Sequence, residues 1–160
     1  MKTIIVYYSL EGNTDHAARM LAKELDADLL RLETVTPYPT SGAKKFLLGG
    51  KDAMSGVKPE LKPYAFDADA YDTVVIATPL WAWTYAPAIG TFLAENDVKG
   101  KKLALMVTSM GGQDGKCFDK LENQLGVKGV PHLSLLEPMK RAKPENSEAI
   151  RRFAEQVKTL

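Results

Sequence analysis

The sequence predicts an α/β protein: a single doubly wound, five-stranded parallel sheet with helices on both faces. Three observations carry that prediction. Apolar, β-branched runs alternate with stretches of helical periodicity along the 160 residues, and that alternation belongs to parallel sheets with crossover helices. Two runs, Thr73 to Thr78 and Leu103 to Thr108, are continuously apolar, as strands buried on both faces must be. The opening run, Thr3 to Tyr8, passes through a six-residue loop straight into a helical pattern, which is the start of a strand–loop–helix unit.

Each element has a local reason. Ile4, Ile5, Val6, Tyr7 and Tyr8 are β-branched or aromatic, while Ala17, Ala18, Leu21 and Leu25 recur at helical spacing. Asp28 to Val35 alternates Leu29, Leu30, Leu32 and Val35 with charge, as an outer strand does. From Thr36 to Asp69 the pattern loosens: Pro37, Pro39, Pro59 and Pro63 punctuate it, and a helix over Ser41 to Met54 is weakened by Gly49 and Gly50. That stretch reads as two short helical pieces in a crossover covering the sheet, with a mobile flap as the alternative. Pro87 to Asn96 places Ile89, Phe92 and Leu93 on one stripe with proline in the first turn. Lys116 to Leu125 groups Phe118, Leu121 and Leu125 and closes on Gly126. Leu133 to Leu136 is a short last strand, and Pro144 to Leu160 presents Ile150, Phe153, Ala154 and Val157 on one face.

Composition sets the bounds. One domain over residues 1–160 is expected, with 45% hydrophobic and 26% charged residues giving enough apolar material for one core. Lys plus Arg number 21 and Asp plus Glu 20, a net charge of +1, so neither a nucleic-acid face nor an acidic tail is expected. The lone Cys117 has no internal disulfide partner, and Lys2, Glu11 and Asp15 interrupt any membrane-spanning or signal run. A cytoplasmic protein without membrane partners is the expectation.

Chemistry concentrates in Ser9-Leu10-Glu11-Gly12-Asn13-Thr14. The loop offers two hydroxyls, a glycine that admits close backbone approach, and the free N–H groups of a helix start, where the dipole favours an anion. It can hold an anion without lysine, since convergent charge-assisted hydrogen bonds contribute roughly 1.5–3 kcal/mol each. As an isolated string, Gly12-Asn13-Thr14 would read as a capped turn; the strand before it and the helix after it make it a phosphate site. No Gly-Lys-Ser/Thr and no G-x-G-x-x-G follows the strand, which removes the nucleoside triphosphate and dinucleotide loops and leaves a mononucleotide.

In open parallel sheets ligands sit beyond the carboxyl ends of the strands. After the third strand comes Pro79-Leu80-Trp81-Ala82-Trp83-Thr84-Tyr85, and after the fourth Thr108-Ser109-Met110-Gly111-Gly112. An aromatic cluster alone is more often core or interface, yet here it stands at a strand end, and the third loop supplies glycines and backbone able to approach a flat ring edge. With those three loops the chain resembles the flavodoxin-like family over nearly its whole length. Ser9, Gly12, Asn13 and Thr14 fall on that family's Ser/Thr-x-Thr-Gly-Asn-Thr phosphate loop, Pro79 to Tyr85 is similar to its first ring-binding loop, and Ser109 to Gly112 to its second.

The resemblance implies strand order 2-1-3-4-5 and noncovalent flavin mononucleotide, FMN. Ser9 and Thr14 would donate hydroxyls to the phosphate, with the N–H groups from Leu10 to Thr14 completing the cradle. Trp81 or Trp83 would stack on the isoalloxazine, and the backbone of Leu80 to Trp83, with Ala82, and of Ser109, Met110, Gly111 and Gly112 would bond its polar rim. It implies a carrier of one or two electrons between redox partner proteins or small-molecule acceptors, monomeric or homodimeric. The alternative is an NAD(P)H-dependent quinone reductase. Hydride transfer needs a nicotinamide about 3–3.5 Å above the flavin, so an indole over the open face favours the carrier, as does the lack of a second domain. A phosphoacceptor domain would want acids where Tyr8-Ser9 and Thr78-Pro79 stand, and a hydrolase would want a G-x-S-x-G elbow. His16 and His132 are read as structural and Cys117 as a packed thiol.

The chain departs from the family pattern in three ways. Glu11 stands where threonine is common, no glycine occurs from Pro79 to Pro87, and the charge is near zero where carriers are often acidic. The missing glycine makes turning of a loop peptide toward the reduced ring costlier, and the near-zero charge weakens steering toward basic partners. A carboxylate about 6 Å from a phosphate dianion costs on the order of 1 kcal/mol even in water-like surroundings, so Glu11 is expected to point away. Glu11→Thr should therefore preserve or tighten FMN affinity in a fluorescence titration; a tenfold loss would mean the carboxylate serves the site.

Overall fold

Burial follows the apolar runs strand by strand. All six residues of β1 (Thr3–Tyr8) are buried, and a strand covered on both faces must be apolar throughout. The computed structural model describes residues 1–160. After β1 come α1 (Asn13–Leu25), β2 (Asp28–Leu32), α2 (Gly42–Ser55), a single 3₁₀ turn at Ala68–Ala70, β3 (Thr73–Trp81), β4 (Thr84–Tyr85), α3 (Pro87–Glu95), β5 (Lys102–Ser109), α4 (Cys117–Leu125), β6 (His132–Leu136) and α5 (Pro144–Lys158). The sheet runs β2-β1-β3-β5-β6, all parallel, with β4 folded back antiparallel on β3. The five parallel strands thus have the expected order 2-1-3-4-5.

Alternation along the strands divides the core in two. Ile4, Val6, Val74, Ile76, Leu105 and Val107 face α3 and α4 through Ile89, Phe92, Phe118 and Leu121. Ile5, Tyr7, Val75, Ala77 and Met106 face α1 and α5 through Ala17, Leu21, Ile150, Phe153 and Val157. Two successive strand residues point to opposite faces, so both layers are anchored on the same three central strands. The wide register of β3 on β5, from Thr73↔Lys102 to Pro79↔Thr108, brings their carboxyl ends level beneath the β1–α1 loop.

Three expectations shift. β2 stops at Leu32 because Thr34 leaves the sheet to bridge Leu61 antiparallel, which puts Val35 on the surface. β3 runs beyond Thr78 to Trp81 and turns back into β4, so the first ring loop is a hairpin. The Ser41 to Met54 stretch forms the one helix, α2, without the break into two pieces that Gly49 and Gly50 suggested. Gly49 fits the approach of α2 to the hairpin: a Cβ there would stand 3.1 Å from the Trp81 ring, so any larger residue would press α2 and the hairpin apart by a few tenths of an ångström. α2 buries that residue alone; its cover is of the sheet's carboxyl edge, not of the core.

The two glycines should respond oppositely to alanine. At Gly50 the nearest neighbour of a new Cβ is Ala82 Cβ at 3.7 Å, so Gly50→Ala should gain up to about 1 kcal/mol of helix stability. Gly49→Ala should forfeit that gain, because Trp81 is wedged edge-on against Tyr8 and Tyr38 and has little room to yield. Urea midpoints of the two variants check this; equal stabilisation would refute the close-approach account.

Candidate functional site

The β1–α1 loop is shaped by one hydroxyl. Ser9 Oγ accepts hydrogen bonds from the N–H of Gly12 at 3.2 Å and of Asp15 at 3.1 Å, curling the chain over the start of α1. Gly12 takes φ 103°, a left-handed conformation open to glycine, and the first helical bond is His16 N–H to Gly12 C=O at 2.9 Å. The N–H groups of Leu10, Glu11, Asn13 and Thr14 find no acceptor within the chain. Four donors and the positive end of α1 therefore converge on one point, which is the chemistry of an anion site.

Neighbours hold this loop from behind. The Thr14 hydroxyl and Thr108 hydroxyl lie 2.7 Å apart, joining α1 to the end of β5. Asn13 Oδ1 accepts from the N–H of Met139 at 3.0 Å and of Lys140 at 3.4 Å, so its side chain fixes the 138–140 turn while its own N–H stays free. Arg31 donates to the Ser9 carbonyl at 3.2 Å. Asp15 accepts from Tyr7 Oη at 2.5 Å and Arg19 Nε at 2.8 Å; the Arg19 guanidinium holds its carboxyl below the usual range, while burial, aided by Asp15, pushes the Tyr7 phenol up to about 12.

A cleft of about 290 Å³ opens beside the four donors. Its lining draws Ser9, Leu10, Glu11, Asn13 and Thr14 from the first loop, Pro79, Leu80, Trp81 and Ala82 from the hairpin, and Ser109 and Met110 from the loop after β5. Three loops far apart in sequence thus meet as expected. Gly12, Trp83, Gly111 and Gly112 lie outside the lining. Gly12 faces the Met139 thioether, which a Cβ would meet at 3.1 Å, and Gly112 turns toward Leu136. Trp83 is 60% exposed at the hairpin tip, and of the two indoles only Trp81 enters the wall.

Sequence reasoning missed Lys45, Phe46, Gly50 and Thr108, which complete the lining. Thr108 closes an apolar run whose last residue was legible as a strand end. Lys45, Phe46 and Gly50 carried no local signal, because only the packing of α2 on the hairpin brings them over the sheet edge. Lys45 Nζ stands 2.6 Å from Glu11 Oε1, and Lys140 Nζ reaches the other oxygen at 3.5 Å. Hydrogen bonding to Lys45 is the main cause that lowers the Glu11 carboxyl below its usual range. The Glu11 side chain is turned toward these two ammonium groups.

The hairpin turn is strained. Ala82 and Trp83 adopt φ 46° and 67° between the paired ends Trp81↔Thr84, the two left-handed residues of a type I′ turn, normally Asn-Gly. At the first residue of α4, Cys117 is fully buried and its thiol is pushed up to about 12 by that burial, which suits the packed thiol expected.

A family model described as Flavodoxin matches residues 2–137. The chain belongs to the flavodoxin family. Solved structures share the fold: a candidate flavoprotein of Bacteroides eggerthii at TM-score 0.79 and 23% identity, covering 98% of each chain, and a flavoprotein of Lactobacillus acidophilus in complex with FMN at 0.72 and 24%, covering 84% of this chain and 92% of that one. A flavodoxin of Agrobacterium tumefaciens described as WrbA-like follows at 0.66 and 15%, covering 99% and 96%. No protein of curated function matches. No helix of the chain is long and apolar enough to cross a membrane.

FMN, the flavodoxin cofactor, fits the donor set. The four amides without acceptors suit a phosphate monoester, and Ser109 Oγ is buried in the cleft wall without a hydrogen-bond partner, a polar atom placed for a ring edge.

Two expectations follow. Ala82→Gly should relieve left-handed strain of about 1–2 kcal/mol, offset in part by the flexibility of glycine, and raise the urea midpoint; a fall would show the turn to be unstrained. Glu11 and Asp15 both have folded values below their unfolded ones, so the stability they add is present above the ordinary carboxylate range and lost as pH falls through the folded values. Glu11→Gln should flatten the acid limb of a stability–pH curve, measured by urea unfolding; an unaltered limb would refute the pairing.

Proposed function

We propose that this flavodoxin binds FMN as an electron carrier. One observation supports the reading above all: four unpartnered amides at the head of α1 open onto a cleft whose other walls come from the two loops that follow β3 and β5. FMN supplies the redox chemistry when bound. The chain's part is to hold the phosphate on the amides of Leu10, Glu11, Asn13 and Thr14, to seat the ring between the Leu80–Ala82 arm and Ser109–Met110, and to keep water from its inner edge.

The carrier reading is favoured by what walls the cleft. α2 brings Lys45, Phe46 and Gly50 to one side and the hairpin brings Trp81 and Ala82 to another, which leaves little room for a nicotinamide stacked within about 3–3.5 Å of a flavin. Electron transfer through an exposed ring edge tolerates such cover. The reductase reading has a hint in the WrbA-like neighbour, a likeness of fold alone.

The test begins with the absorbance spectrum of the purified protein and an FMN titration followed by tryptophan fluorescence. Flavin bands, or saturable quenching through Trp81, are expected; a colourless protein with unquenched fluorescence in excess FMN would sink the reading. NADPH oxidation with and without a quinone separates the two activities: slow oxidation is expected, and rapid quinone-dependent turnover would replace the carrier with the reductase.

A further inference from the structure

We infer that Lys45 of α2 is a cofactor-binding residue that makes this site select the phosphorylated flavin over riboflavin. The inference rests on the FMN reading above and adds to the amide cradle a cation that the sequence motif does not contain. Lys45 differs from the other lysines of its helix. Lys44 and Lys51 are exposed, whereas the Lys45 side chain is 13% exposed and forms part of the cleft wall beside Ser9, Asn13 and Thr14.

Withdrawing an ammonium group from water is unfavourable unless charge compensates it. Glu11, at 2.6 Å, compensates Lys45. Glu11 is itself also paired with Lys140, at 3.5 Å, and Lys140 with Glu137, at 3.8 Å, so Lys45 shares its carboxylate with a second ammonium group at the rim of the four free amides. Glu137 answers Lys140 and Arg141, whereas Lys45 has only its share of Glu11. An ammonium has three protons to donate, and the single contact to Glu11 leaves donors for a ligand on the cleft side.

The position is set by the fold. Gly49 lets α2 rest against the Trp81 ring, where a Cβ would approach to 3.1 Å, and Gly50 sits over Ala82. Lys45, one helical turn earlier, is thereby held over the first loop. A doubly charged phosphate on the amides would be repelled by Glu11 alone; the Lys45 ammonium beside that carboxylate offsets the repulsion and offers its remaining N–H donors. Riboflavin, which lacks the phosphate, gains nothing from the ammonium. Lys45 thus turns the carboxylate that departs from the family motif into part of a charged clamp, and the discrimination it confers is electrostatic.

The measurement is a pair of dissociation constants, for FMN and for riboflavin, on the full chain and on Lys45→Met, Lys45→Arg and Lys44→Met. Loss of one charge-assisted hydrogen bond corresponds to about a tenfold weaker FMN affinity. Lys45→Met should show that loss with riboflavin affinity kept within about twofold, Lys45→Arg should retain the preference, and Lys44→Met, changed at an exposed site, should match the parent. Added salt should weaken FMN binding to the parent more steeply than to Lys45→Met. Unchanged FMN affinity in Lys45→Met overturns the inference, and so does an equal loss for both flavins, which would mean that Lys45 only holds α2 in place. A parent protein that binds riboflavin as tightly as FMN overturns it as well, while leaving flavin binding intact. Failure of the parent to bind either flavin would instead defeat the proposed function and this inference with it.

Discussion

Four N–H groups at the entrance to α1 have no acceptor in the chain, and much of the surrounding structure serves to hold them in one place. β1 fixes the height of the loop by burial on both faces. Ser9 curls it, Gly12 supplies the left-handed step, and Thr14 fastens the first helical turn to the end of β5. An amide cluster without acceptors would be unfavourable in a dry interior. At the mouth of a cleft it is a binding surface, and its value depends on the loop not relaxing to satisfy itself.

The near-zero net charge conceals an uneven local field. Chain-wide the balance is +1, yet at the phosphate end Lys45 and Lys140 converge on Glu11. A single carboxylate in a phosphate loop reads as a liability when only its neighbours in sequence are considered. In three dimensions it recruits α2 and the 138–140 turn to the loop, so that a helix and a turn remote in the chain close on the same spot. Acidic residues at binding sites for anions are therefore to be judged by the cations they bring with them.

How much of this was legible in the sequence depends on the range of the interaction. The sheet and its order were readable because β-branched runs and helical stripes are local signals, and the resemblance to flavodoxins supplied the order. The first loop was readable for the same reason: strand, glycine and helix start lie within a dozen residues. α2 was not. Its helix was visible from Ser41 to Met54, but the glycines that weakened the prediction are the residues that let it approach Trp81, a contact no local propensity encodes. Lys45, Phe46 and Gly50 were missed with it. The hairpin at Ala82-Trp83 was hidden for the opposite reason, since a type I′ turn usually advertises itself with Asn-Gly and here pays in backbone strain. Asn13 was found as a loop residue, but the bonds its side chain makes were not legible, because their partners lie in the 138–140 turn.

That last contact orders events during synthesis. Asn13 emerges from the ribosome well before the backbone it clasps, Met139 and Lys140. Ser9 and Gly12 can curl the loop and the strands that flank β1 can pair before then, whereas the tie between the loop and the 138–140 turn forms only after β6. A nascent fragment lacking that turn would carry the recognisable motif without the tie that Asn13 makes to it.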